Sequence, residues 1–180
     1  LTDGGIIGLS DPSGLFLSSR HINVPGTCAT VTLEGRRPLV AEVQSLLTPS
    51  AGGSPRRTVS GVDAARVNML LAVLQRRARF ALAQDDCYVA TVGGVRLSEP
   101  ASDLAVAVAV ASAKLSAPVP QGMIAVGELG LAGEVRPVPG IGRRVREAAR
   151  LGFTRALVPR SPEPLGEVPA GFTVAEVGSI

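Results

Sequence analysis

The side chains best equipped for chemistry in this chain of 180 residues are arginines that fall in groups. Arg143, Arg146 and Arg150 recur at i, i+3 and i+7, which puts them in one stripe on a helix, with Arg144 beside it. Arg76, Arg77 and Arg79 form a second group, with Arg56 and Arg57 upstream. The guanidinium binds phosphate and carboxylate in bidentate fashion and does not titrate. Unpaired groups of this kind supply sequence-independent, salt-sensitive affinity for a nucleic-acid backbone. Only Glu147 offers a partner inside the first stripe, four residues after Arg143. A solvated helix end would carry the same residues, since cations are favoured beside a helix C-terminus. No aromatic residue interleaves with either group, so phosphate contact is favoured over base stacking.

Nucleophilic chemistry has fewer candidates. Ser102 opens an apolar run, Lys114 is the only lysine and His21 the only histidine. Within one helix Ser102 and Lys114 stand ~18 Å apart, too far for proton transfer. A Ser102–His21–Asp triad is the remaining combination. Against it, His21 reads as a surface residue of an irregular segment and Ser102 as a helix cap. Cys28 and Cys87 lie far apart with no metal-ligand spacing, which suits a cytosolic protein with reduced thiols. The chain has no Gly-x-x-x-x-Gly-Lys-Ser/Thr loop and no Cys-x-x-Cys, and the glycines from Gly127 to Gly133 fall in a hairpin context. P-loop ATP binding, a zinc finger and a dinucleotide site are therefore not expected of this chain, which is expected to carry no cofactor.

These residues need a frame to hold them. At 46% apolar and 18% charged the chain can build a core, and with 3% aromatic residues that core must be Val, Leu, Ile and Ala. The net charge is only +3. Leu104 to Ala113, introduced by Pro100 and the candidate caps Ser102 and Asp103, is apolar on all sides apart from Ser112, as befits a central buried helix ending near Ser116. It is too short to cross a membrane. Upstream, Thr27–Leu33 and Pro38–Leu47 around Glu34-Gly35-Arg36-Arg37 predict a β-hairpin, and residues 48–57 a loop. Residues 63–79 predict an amphipathic helix with Val67, Leu70, Leu71, Leu74 and Ala78 buried. Further strands are expected over 87–92, 123–126, 156–158 and 172–177, with a tight hairpin at 128–135 and a Pro-rich loop over 159–171. A helix over 140–151, closed by Gly152, turns Ile141, Val145, Ala148 and Ala149 to the core. Residues 1–26 read as an irregular lead-in with one short strand. The alternation argues for a mixed α/β domain. A start at Leu1 without Met is expected of a piece excised from a longer protein.

From Pro100 to about Pro159 the chain resembles the proteolytic domain of Lon, with Gly127-Glu128, Leu131, Gly133, Val135 and Pro137 on that family's Gly-Glu-x-x-Leu-x-Gly-x-Val-x-Pro pattern. More closely it is similar to the C-terminal domain of the RadA (Sms) family of bacterial DNA-repair proteins. The carrying stretches are 69–74, Gly93-Gly94-Val95-Arg96-Leu97-Ser98-Glu99-Pro100, 103–107 and Gly133-Glu134-Val135-Arg136-Pro137-Val138. The resemblance implies a Lon-protease-like, ribosomal-protein-S5-domain-2-like α/β fold over 58–180. Residues 1–57 are expected to form an N-terminal β-rich extension packed on it.

Lon-type cleavage needs a serine nucleophile and a lysine base. Matched residue by residue, the serine position falls at Ala101 and the lysine position at Gly142, with Arg143 next to it. Alanine has no hydroxyl, glycine no amine, and an arginine stays protonated. The resemblance thus implies a domain without peptidase activity in a DNA-dependent ATPase that drives branch migration of recombination intermediates. Its expected roles are hexamer scaffold and accessory DNA-binding surface, through Arg143, Arg144, Arg146, Arg150, Arg76, Arg77 and Arg79. Expected partners are single-stranded or branched DNA, copies of itself and other recombination proteins, in the cytoplasm and away from membranes. ATP, Mg and Zn are expected only in the family's N-terminal domains. A divergent serine peptidase using Ser102, and a pure oligomerisation module, are the alternatives.

Overall fold

A computed structural model describes residues 24–160 and 165–180. The expected lead-in strand and His21 lie outside the described residues, as does part of the Pro-rich loop. The elements run β1 (Thr27–Glu34), β2 (Arg37–Pro49), β3 (Arg57–Ser60), α1 (Ala64–Arg77), β4 (Asp85–Thr91), α2 (Asp103–Leu115) and β5 (Met123–Ala125). There follow β6 (Glu128–Leu129), β7 (Val135–Arg136), α3 (Ile141–Arg150), β8 (Arg155–Pro159) and β9 (Thr173–Val177). Seven strands make one mixed sheet in the order β3-β4-β2-β1-β5-β8-β9, and β6-β7 is a separate two-stranded ribbon. The β1–β2 and β2–β4 pairs are antiparallel and the other four pairs parallel.

The β1–β2 hairpin, read from the sequence as part of an extension over 1–57, supplies the two central strands of that sheet. Its apolar residues alternate between two cores. Cys28, Leu39, Ala41 and Val43 point to the core filled by α1 and α2, whereas Val31 and Val40 point to the one under α3. Successive strand residues face opposite sides, so α1 and α2 cover one face of the sheet and α3 the other. The hairpin turns through two residues, Gly35 and Arg36, with Gly35 at φ +60°. A positive φ at the first turn position costs glycine nothing and matches the twist of the flanking strands.

The central helix is buried over most of Leu104 to Ser112, with Val108 and Ala111 only half-buried. Its start differs from the capping expectation. Neither Ser102 nor Asp103 caps it: Ser102 Oγ donates back to the Glu99 carbonyl at 3.1 Å, and Asp103 is occupied elsewhere. A turn of 3-10 helix over Pro100–Ser102 leads in, and the Gly127 carbonyl takes the Leu104 amide at 3.0 Å. A protein backbone thus does the work expected of a side chain. The second departure is β3, a four-residue parallel edge strand inside a stretch read as loop and helix lead-in. On α1, Asp63 caps the Arg66 amide at 2.7 Å, and Val67, Leu70, Leu71, Val73 and Leu74 are buried. Gly152, at φ +86°, closes α3.

Candidate functional site

The head of α2 is the place where a peptidase of the resembled type would keep its chemistry. Ala101 is buried there, its carbonyl accepting the Gly127 amide at 2.8 Å. Next to it Asp103 is buried with three donors: the Arg66 Nε at 2.6 Å, the Arg66 Nη2, and the Leu129 amide at 3.0 Å. Desolvation pushes the Asp103 carboxyl above its ordinary value, against the pull of Arg66, while Asp103 holds the Arg66 guanidinium protonated. The Glu128 carboxylate joins Arg66 at 3.6 Å. This cluster ties α1, α2 and the β6–β7 ribbon together around a charge pair.

The other side chains weighed for nucleophilic catalysis are not brought to this place. Lys114 spends its amine on Asp85 at the far end of α2, with Nζ 2.5 Å from Oδ2. Gly142 packs so closely that a Cβ there would overlap the Leu165 carbonyl oxygen. Cys28 and Cys87 are both buried and free, and desolvation lifts the Cys28 thiol to about 12. Among the described residues no group of three or more His, Cys, Asp or Glu lies together as a metal-binding set. No helix among them is long and apolar enough to cross a membrane.

The arginines divide into two kinds. Arg144, expected beside the basic stripe, is 1% exposed. Its Nη1 and Nη2 grip the Glu99 carboxylate at 2.5 and 2.8 Å, and further bonds reach the carbonyls of Val31 at 2.5 Å and Pro139 at 3.2 Å. This corrects the surface role read for it: one residue step along the helix, about 100°, turns it inward from Arg143, between β1 and the loop before α2, where its guanidinium is held by Glu99 and Val31. Arg143, Arg146 and Arg150 do line the exposed side of α3. Glu147 pairs with Arg150 at 2.7 Å, not with Arg143, whose Nη1 donates instead to the Arg36 carbonyl at 3.3 Å. Of the residues expected to face the core, Ala149 is only half-buried.

Arg76, Arg77 and Arg79 are exposed at the distal end of α1, where the stem of Arg77 lies against Gly133 of the ribbon. Arg57 turns back to bond the carbonyls of Asp85 and of Leu82, the latter at 3.1 Å. The sequence did not single out Arg36 and Arg37, which the hairpin turn exposes, Arg36 beside α3. Their signal was present as a paired basic turn, but only the fold shows what they sit against.

The whole chain aligns with proteins named DNA repair protein RadA. Identity is 54% to that of Mycobacterium tuberculosis, 53% to that of Mycolicibacterium smegmatis and 42% to that of Streptococcus pyogenes. The match takes 37%, 38% and 40% of those proteins, so the chain spans about two fifths of the length of the curated relatives it matches. The family model described as subunit ChlI of Mg-chelatase matches residues 72–162, from α1 past β8. That match takes in the α2 head, the β6–β7 ribbon and the arginine stripe of α3, and by it the chain belongs to the family of subunit ChlI of Mg-chelatase.

Proposed function

We propose that the chain acts in DNA repair as a proteolytically inactive, Lon-like domain of a RadA-type recombination ATPase, in which it is a hexamer scaffold and an accessory DNA-binding surface. The similarity over the full chain to proteins named for DNA repair carries the setting. The observation that carries the DNA-binding role is the exposed α3 stripe, where Arg143 and Arg146 make no ion pair among the described residues. Such a surface binds phosphates at a strength set by salt rather than by sequence. The outer end of α1, with Arg76, Arg77 and Arg79, is a second surface of the same kind. Branch migration, the ring and other recombination partners belong to the longer protein and rest on the same likeness. A cytoplasmic setting goes with this reading.

The inactive-peptidase part is supported by the side chains at the α2 head. Ala101 has no hydroxyl, Ser102 is buried with its Oγ turned to the Glu99 carbonyl, and Lys114 is engaged by Asp85. A nucleophile and a base within hydrogen-bond reach are the minimum for this chemistry. Replacing Arg143, Arg146 and Arg150 together by alanine is expected to weaken DNA binding and flatten its dependence on salt. Binding isotherms of a labelled oligonucleotide at several salt concentrations decide it, and unchanged isotherms would remove the stripe from the proposal. A serine-directed inhibitor is expected to leave the chain unlabelled; labelling abolished by Ser102→Ala would restore the peptidase reading.

A further inference from the structure

The β1–β2 turn lies against the arginine stripe and is fastened there at three points. Arg143 Nη1 bonds the Arg36 carbonyl at 3.3 Å, Arg144 Nη1 bonds the Val31 carbonyl at 2.5 Å, and Glu99 takes the Leu33 amide at 2.8 Å while gripping Arg144. Gly140, just before α3, also packs against the Leu33 side chain. These contacts seat the turn against the helix. Arg36 at the turn and Arg143 and Arg146 on the helix are exposed beside this contact, whereas Arg37 is in step with Leu39 on the face of the sheet that α1 and α2 cover. Among the described residues the acids nearby do not balance them. Glu99 is taken by Arg144 and Glu147 by Arg150, which leaves Glu34, opposite Arg37 across the hairpin, as the one acid of the turn.

We infer that this turn and α3 form a two-armed grip for the phosphate backbone of a nucleic acid, with Arg36 as one arm and Arg143 and Arg146 as the other. The inference rests on the DNA-binding reading above and adds to it a site made by residues from opposite ends of the chain. Guanidinium groups on a preorganised frame lose little freedom when they bind. No aromatic residue interleaves with these arginines in the sequence, so the grip reads phosphates and not bases. The contact that seats the turn uses the backbone carbonyl of Arg36, so its side chain stays available for a ligand.

The test uses the 180-residue chain and two fluorescein-labelled duplexes of unrelated sequence, titrated by anisotropy from low to moderate salt. Each arginine that meets a phosphate adds about one unit to the slope of log K against log salt. Arg36→Ala is expected to reduce that slope by about one and to weaken both duplexes equally. Arg36→Lys is expected to retain the slope, because the charge is kept. Thermal melting verifies that the alanine variant is folded, as it retains the Arg36 carbonyl that Arg143 needs. If Arg143→Ala with Arg146→Ala flattens the slope while the turn variant does not, the grip is wrong and the DNA-binding reading stands. If neither variant changes it, the grip is wrong and this face drops out of the DNA-binding reading, which then rests on Arg76, Arg77 and Arg79 alone. A changed sizing profile with an unchanged slope would make the turn a subunit contact and overturn the grip.

Discussion

Glu99 accepts from both Nη groups of Arg144 and from the Leu33 amide. Burial pulls its pKa up, but these donors outweigh burial and hold the carboxyl below its ordinary value. A carboxylate lowered in the fold stabilises it above the unfolded pKa of about 4.3, and that stability is lost as pH falls through the folded value. Glu99→Gln should therefore melt below the parent at pH 7, with the gap closing as pH drops under about 4; a gap equal at every pH would refute the assignment. Removing the other partner is harsher. Arg144→Ala leaves a part-buried carboxylate and two carbonyls without their donor, at a cost of about 3 kcal/mol, or roughly 6–12 °C in Tm for a chain of this size. Gly142→Lys, which writes the resembled lysine back in, should lower stability by about 2 kcal/mol, since the Leu165 carbonyl occupies the space of its Cβ. Thermal melts measure both. Residue types alone could name these positions but not their neighbours. Arg143 and Arg144 are adjacent in the sequence, yet one faces solvent and the other is sealed in the protein, and only the partner Glu99, 45 residues upstream, decides which.

Elements were legible where their pattern is long. The hairpin, α1, α2 and α3 each repeat their period often enough to be read from apolar spacing, and the structure sets them within a few residues of expectation. The strand β3 is four residues with alternating burial, held by β4 through hydrogen bonds that no local pattern records. The α2 start was misread for a related reason: its Leu104 amide is met by Gly127, which follows β5, a partner on another element. The burial of the α2 head has an energetic consequence. Leu104 packs at the head of the helix, so Leu104→Ala should cost about 2–5 kcal/mol through lost burial and a residual cavity. Denaturant midpoints check it, and a loss under about 1 kcal/mol would mean that the helix head is less tightly packed than described.

At the scale of the molecule, the division into two cores on either face of one sheet explains why the candidate site could not be assembled from spacing. The turn at Arg36 and the stripe on α3 are separated by more than 100 residues and meet only because β1 and β2 run through the middle of the sheet. The same central position makes the cysteines reporters of the whole fold. Cys28 on β1 and Cys87 on β4 both face the core under α1 and α2, and burial raises both thiols, Cys28 to about 12. A thiolate is the reactive form, so at pH 8 neither should react with iodoacetamide while the chain is folded. Labelling then has to wait for an opening that exposes this core, and with reclosing fast its rate follows the stability of the fold. Leu104→Ala should therefore speed labelling of Cys28 and Cys87 by the factor that its loss in stability sets, about tenfold for each 1.4 kcal/mol. Mass spectrometry of the labelled peptides reads the two sites separately. Rapid labelling of Cys28 in the unaltered chain would contradict a central, sealed β1, and with it the frame that brings the turn to α3.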